Sequence, residues 1–175
     1  MERKSFHTAQ IAQIAQLRAG DQILLSGTVY TARDAAHKRL FELLDNAQPL
    51  PFELNGAAIY YAGPTPAPAG RPIGSCGPTT SSRMDPFAPR LLDLGLKIMI
   101  GKGQRSPEVV EAIRRNGAVY LCAIGGAGAL AAQAVQSCEV IAFDDLGCES
   151  VKKLAVKDFP LIVAIDAQGN SLFER

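Results

Sequence analysis

The sequence predicts an α/β fold in which helices cover a mixed sheet, and three observations lead there. Apolar strand-like runs alternate with amphipathic stretches along most of the 175 residues. Clusters of Gly, Pro and Asn punctuate them. The balance of 47% hydrophobic to 20% charged residues is that of a chain with a packed core. A chain of this size buries about 70% of the surface that its unfolded form exposes. One domain spanning residues 1–175 is therefore expected, stable without disulfides or structural metal.

The elements follow in order. Thr8 is placed to cap a helix with Ile11, Ile14 and Leu17 on one face, stopped by Ala19-Gly20-Asp21. Residues 23–30 have the β-branched and apolar content of a strand. Residues 35–44, with Leu40, Phe41, Leu43 and Leu44, read as an amphipathic helix, which puts Arg33 and Asp34 at the strand-to-helix junction. A short apolar run at 57–62 leads into Gly63-Pro64-Thr65-Pro66-Ala67-Pro68-Ala69-Gly70-Arg71-Pro72, too rich in Pro and Gly for helix or central strand, hence a long ordered loop. A strand at 97–100 precedes a helix with Ser106 as N-cap, Pro107 at its first position, Glu108 in its first turn and Asn116-Gly117 as its stop. A strand at 119–124 is followed by Gly125-Gly126-Ala127-Gly128, opening a small-residue helix through Val135. A strand at 140–143 and a helix at 149–156 come next. Strands at 161–165 and 172–173, joined by Asp166-Ala167-Gln168-Gly169-Asn170, close the series as a hairpin.

Composition excludes several function classes. Eighteen Lys plus Arg against seventeen Asp plus Glu give a formal charge of +1, and no block of like charges marks a nucleic-acid or acidic-lipid partner. The start, Met1-Glu2-Arg3-Lys4, leads into polar residues and not into a secretory apolar segment, and no stretch is long and apolar enough for a membrane span. A cytoplasmic protein without a membrane partner is expected. Cys76, Cys122, Cys138 and Cys148 are widely spaced, with no C-x-x-C, and His7 and His37 are the only imidazoles. No complete metal or iron–sulfur site is expected within this chain.

The most unusual segment is Gly77-Pro78-Thr79-Thr80-Ser81-Ser82-Arg83-Met84-Asp85. Four hydroxyls in succession and a guanidinium at a helix start would gather N–H, O–H and cationic donors into an anion site. On pattern alone, a generously capped helix with Arg83 paired to a nearby acid is an equal alternative. The run Thr31-Ala32-Arg33-Asp34-Ala35-Ala36-His37-Lys38-Arg39 sits where α/β sheets commonly project binding residues, yet its composition by itself reads as a cationic helix face. His37 reads there as a solvated or hydrogen-bonded helix residue. Gly101-Lys102-Gly103 lets a backbone approach something closely while the ammonium reaches it, but it lacks P-loop spacing, and on pattern alone it reads as an ordinary turn with an exposed Lys. The glycines at 125–128 are not spaced as a dinucleotide fingerprint and suit close helix-on-sheet packing.

Together, the strand around Gly27, residues 31–39, the run Gly77 to Asp85, residues 100–104 and the tail from Asp144 to Asn170 resemble the C-terminal (beta) domain of class I fumarases and the beta subunit of L-tartrate dehydratase. The resemblance spans nearly the whole chain. It implies a swivelling β/β/α domain and reversible hydration of a small dicarboxylate, fumarate/malate or L-tartrate. It further implies a four-iron four-sulfur (4Fe-4S) cluster ligated by cysteines of a partner alpha subunit, so that this chain is one subunit of a hydro-lyase. By the same resemblance Arg33, Arg83 and Lys102 are substrate-binding cations, and Thr79 is the catalytic proton-transfer residue, working with an acid of the alpha partner. Cys76, beside the Gly-Pro turn, is either a structural thiol or a neighbour of the cluster. A non-catalytic small-carboxylate-binding or assembly module is the alternative function.

Overall fold

The computed structural model describes residues 2–124 and 127–173. Its strands are β1 (Arg3–His7), β2 (Gln22–Thr31), β3 (Ala58–Tyr60), β4 (Ile98–Gly101), β5 (Val119–Ala123), β6 (Val135–Ala142) and β7 (Val151–Ile165). Its α-helices are α1 (Asp34–Asp45), α2 (Ala88–Asp93), α3 (Pro107–Asn116) and α4 (Ala127–Ala134). They form a mixed sheet with helices, as the alternation of patterns predicts. Strands β1 to β5 run parallel in sequence order, and β7 is antiparallel to β5, β6 and β2. Because β7 pairs with β2 as well as β5, the strands β2-β3-β4-β5-β7 return on themselves as a closed five-stranded ring.

Strand alternation divides the apolar residues between two cores. Ile23, Leu25, Ala58, Tyr60, Ile98, Ile100, Val119, Leu121, Leu161 and Val163 belong to the inner core, which Ala131 and Ala134 of α4 also join. Ile59, Met99, Tyr120 and Ile165 face outward against Ala36 and Leu40 of α1, Leu91 and Leu92 of α2, and Val109 and Ile113 of α3. α3 follows its punctuation. Ser106 caps it by accepting from the Val109 N–H, Pro107 is its first residue, and Gly117 ends it in the left-handed conformation at φ 61°.

Several local expectations change. Residues 149–156 are not helical, since Val151 begins the fifteen-residue strand β7. The run Val-Lys-Lys-Leu-Ala-Val suits either period, and pairing to β2 on one edge and β6 on the other decides for strand. Ile11–Gln16 is a 3₁₀ turn preceded by Gln10, while the Thr8 hydroxyl accepts from the Thr28 N–H on β2 and so fastens a neighbouring strand in place of capping. The small-residue helix stops at Ala134, and the strand expected at 140–143 begins already at Val135. Gly125 and Gly126, which were to open that helix, lie outside the described residues. The expected terminal hairpin shrinks to one bridge, Ile165 to Ser171, because the Asp166 carboxylate folds the turn onto itself by accepting from the Gln168 and Asn170 N–H groups. β1 and α2 carried too weak a pattern to be foreseen.

Candidate active site

Parallel strands put all their C-terminal ends on one edge, and there side chains leave the sheet without being committed to its ladder. Arg33 follows β2, Tyr61 to Gly63 follow β3, and Lys102 follows β4. The hydroxyl-rich run is laid across this edge. Pro78 bridges Ala62, the Thr79 N–H donates to the Tyr61 carbonyl at 2.7 Å, and Thr80 bridges Lys102. Ser81 is bound twice more to the end of β4, its N–H donating to the Lys102 carbonyl at 2.9 Å and its hydroxyl accepting from the Lys102 N–H at 3.0 Å. Thr79 and Lys102, 23 positions apart in the chain, are thereby brought to one ledge.

This docking needs a glycine beneath it. A Cβ on Gly101 would stand 2.0 Å from the Ser81 hydroxyl and 2.8 Å from the Tyr61 ring. Below Ser81 lies a buried ion pair: the Arg105 Nε donates to Asp85 at 2.7 Å, and its guanidinium sits over the Tyr61 and Tyr120 rings. Asp85 also accepts from the Ser106 N–H at 2.8 Å, tying the far end of the run to the start of α3. The Tyr120 hydroxyl donates to Ser81 at 2.7 Å. None of these supports carries a local sequence signal except Gly101, whose neighbour Lys102 already drew attention.

The segment Ser81–Met84 is a single 3₁₀ turn without a side-chain cap, so the helix N-terminus expected there does not form. Donors come instead from side chains. Arg83 Nη2 lies 2.5 Å from Asp34 Oδ2, the acid partner that the capped-turn alternative called for. The approach is off the hydrogen-bonding direction, and Asp34 Oδ2 has no hydrogen-bond partner among the described residues. The pair nevertheless brings the Arg83 turn to the first turn of α1, beside Arg33. Thr80, Ser82, Arg83 and Lys102 are exposed, Thr79 is partly buried, and the ledge faces outward.

Arg33 is held differently. Partly buried, it occupies the N-cap position of α1 in extended conformation, and its guanidinium passes over Gly63, where a Cβ would come within 2.8 Å of Nη1. Its Nε is buried and has no hydrogen-bond partner among the described residues, a cationic donor in want of an acceptor. His37 supports the same residue. Its Nδ1 lies 2.8 Å from the Arg33 carbonyl, so the N–H is on Nδ1 and Nε2 is left as a buried acceptor without a partner among the described residues. His37 is thus hydrogen-bonded but not solvated, and burial lowers its pKa to about 4.

Cys76 is buried, its carbonyl accepts from the Tyr60 hydroxyl, and burial pushes the thiol up to about 12. Among the described residues no three His, Cys, Asp or Glu gather closely enough to hold a metal ion. Among them, too, no helix is long and apolar enough to cross a membrane.

The sequence can be set against known proteins once this geometry is in place. The family model described as Fumarase C-terminus matches residues 3–175. The chain is 41% identical over 167 residues to "Fumarate hydratase class I, anaerobic" of Escherichia coli K12, covering 94% of this chain and 30% of that protein. It is 40% identical over 169 residues to "Fumarate hydratase 2" of Leishmania major, covering 93% of this chain and 29% of that protein. It thus spans less than a third of these fumarate hydratases. Against the "L(+)-tartrate dehydratase subunit beta" of Escherichia coli K12 it is 40% identical over 164 residues, 91% of this chain and 80% of that subunit. A profile matching nearly every residue and a relative matched over most of its length agree, and the chain belongs to the fumarase C-terminus family.

Proposed function

We propose that this chain is the beta subunit of a hydro-lyase that reversibly hydrates a small dicarboxylate, fumarate/malate or L-tartrate, and that it acts with an alpha partner. The observation that carries this reading is the gathering of Arg33, Thr79, Arg83 and Lys102 along one open edge of the parallel strands, in a chain of this family. The relatives named above are hydratases or a dehydratase subunit. A 4Fe-4S cluster, if the partner supplies one as the family resemblance implies, is ligated outside this chain, and the steps below are those of this chain's own side chains. The chain is taken as one domain over residues 1–175, swivelling as a body to close its ledge over the partner's site.

Removing a proton from the carbon next to a carboxylate drives negative charge onto that carboxylate. Fixed cations at that position stabilise the transition state more than the ground state. Arg33 and Arg83 can each present a planar fork of two N–H donors to one carboxylate, whereas Lys102 offers a compact charge that follows an oxygen as it moves. Asp34, whose Oδ2 lies 2.5 Å from Arg83 Nη2, holds that guanidinium beside the start of α1. Thr79, held through its own N–H to the end of β3, turns its hydroxyl to proton transfer. A threonine hydroxyl is too weak a base alone at neutral pH, so it gives its own proton to an ionised acidic residue of the partner as it takes up the one from carbon.

The test is anaerobic turnover of fumarate, malate and tartrate by this chain alone and by its mixture with a cluster-loaded alpha subunit. Activity in the mixture only is expected, and it names the substrate. Arg83→Lys, which loses the fork but keeps the charge, should remove most of the activity while the far-ultraviolet circular dichroism stays unchanged. A stable complex that turns over none of the three acids would overturn the reading in favour of a non-catalytic carboxylate-binding module.

A further inference from the structure

Lys152 lies on β7, one position from the exposed Lys153, yet it is itself buried. A buried ammonium must find oxygens, and the usual partner is a carboxylate. Lys152 has none within ion-pair distance among the described residues. Its Nζ is instead bound by the Gly147 carbonyl at 3.3 Å, the Cys148 carbonyl at 3.2 Å, the Ser150 carbonyl at 3.4 Å and the Ser150 hydroxyl at 2.8 Å. These four acceptors belong to one turn, the end of the 3₁₀ segment Asp144–Glu149 and the residue after it. The segment is kinked at Gly147, whose φ of 63° and ψ of -123° break the helical path, so the acceptors come from the shape of this turn. Burial holds the ammonium below its ordinary pKa, as a desolvated site should.

What the turn touches gives the arrangement its meaning. The Glu149 carboxylate accepts from the Ala35 N–H, an otherwise open donor in the first turn of α1. The Cys148 carbonyl stands beside Gly63, on the spot the Arg33 guanidinium also crosses: a Cβ there would be 2.8 Å from Arg33 Nη1 and 3.3 Å from that carbonyl. The Ser150 carbonyl accepts in addition from the Thr31 hydroxyl, two residues before Arg33, and that hydroxyl accepts from the Lys152 N–H. The turn therefore braces Arg33 from the strand end before it and from the helix start after it, and its Cys148 carbonyl shares with the guanidinium the space over Gly63.

We propose that Lys152 is a positioning residue for Arg33, holding the Gly147–Ser150 turn so that the Arg33 guanidinium stays aimed at a substrate carboxylate. This rests on the function proposed above, since it needs a carboxylate for Arg33 to bind. Lys152 touches no reacting atom.

The experiment is a double-mutant cycle in the complex with the cluster-loaded alpha partner. Lys152→Met keeps the aliphatic stem and removes the donors. Its kcat/KM for the dicarboxylate should fall about tenfold in an otherwise unaltered chain, and by less than about twofold when Arg33→Met is already present. Combined with Lys102→Met the loss should stay about tenfold, because Lys102 lies outside the braced turn. Equal losses in all three backgrounds would sink the proposal, since a general structural defect would not single out Arg33. Should Lys152→Met fail to fold, Lys152→Arg takes its place: charge is kept, donors move, and a smaller loss should again vanish beside Arg33→Met. Hydrogen exchange supplies a readout independent of turnover. The Ala35 amide should exchange faster in the Lys152 variant while the Tyr61 amide, bound to Ile100, keeps its protection. If the unaltered complex turns over none of the acids, the functional reading fails, and unchanged Ala35 exchange would then remove the bracing role as well.

Discussion

His37 offers a sharp test because one buried ring supports Arg33 and carries a pH signature of its own. Its Nδ1–H donates to the Arg33 carbonyl, and its ring packs 5.7 Å from the Tyr61 ring centroid and 5.3 Å from that of Phe87. Burial lowers its pKa from 6.5 to about 4, so the folded chain keeps the ring neutral while the unfolded chain protonates it readily. Between those values the unfolded state binds the extra proton, and folding stability falls as pH falls. Stability is fully present above the unfolded value, and at about 1.4 kcal/mol per unit the complete loss is about 3 kcal/mol. Roughly 2 kcal/mol of it is already gone at about pH 5. His37→Phe keeps the aromatic contacts, gives up one hydrogen bond and relieves the partnerless Nε2, so near pH 7.5 it should lie within about 1 kcal/mol of the unaltered chain. Urea unfolding followed by circular dichroism at both pH values measures the two curves. The variant should gain on the unaltered chain by roughly 2 kcal/mol between about pH 7.5 and pH 5. A stability gap that does not change with pH would refute the buried neutral imidazole.

Other perturbations address the support of the ledge. Asp85→Ala leaves the buried Arg105 guanidinium without its acid and should cost about 3–5 kcal/mol, read as a lower urea midpoint, whereas replacing both partners by apolar residues should recover much of that. Gly101→Ala drives a methyl into the Ser81 hydroxyl, and a loss of about 1–3 kcal/mol is expected together with weakened dicarboxylate turnover in the complex; a variant as stable and active as the parent would contradict the close approach. Thiol titration of the native chain near neutral pH should modify the exposed Cys148 first and leave Cys76 untouched until denaturant is added.

Legibility followed the range over which each signal acts. α3 was readable because Ser106, Pro107 and Gly117 fix its ends through their own backbone geometry. The strand β7 was not, because Val151, Leu154 and Ala155 share a helical face as easily as Leu154 and Val156 share a strand face, and the partners that choose between them are other strands, β2 on one edge and β6 on the other. The same division runs through the ledge. Thr79, Arg83 and Lys102 stood out as residue types, and the hydroxyl run as a segment. That Ser81 clasps Lys102, that Asp34 receives Arg83 and that Arg105 supports the whole run depend on pairings no local pattern encodes. Lys152 was hidden for a further reason: only when the run is a strand does it share the buried face of Leu154 and Val156 while the adjacent Lys153 is exposed.

The closed ring also constrains how the molecule comes into being. Residues 22–30 of β2 find their partners at 153–162, so that contact forms only after nearly the whole chain is available, and such long-range pairings slow folding. Until β7 arrives, the parallel strands before it are an open sheet with Ile23, Leu25, Ile98, Ile100 and Leu121 on an uncovered face. A chain cut before Val151 would leave that face without its cover, and it is expected to aggregate rather than to function as a smaller version of the same protein. The last long strand is the latch that joins the two ends of the ring.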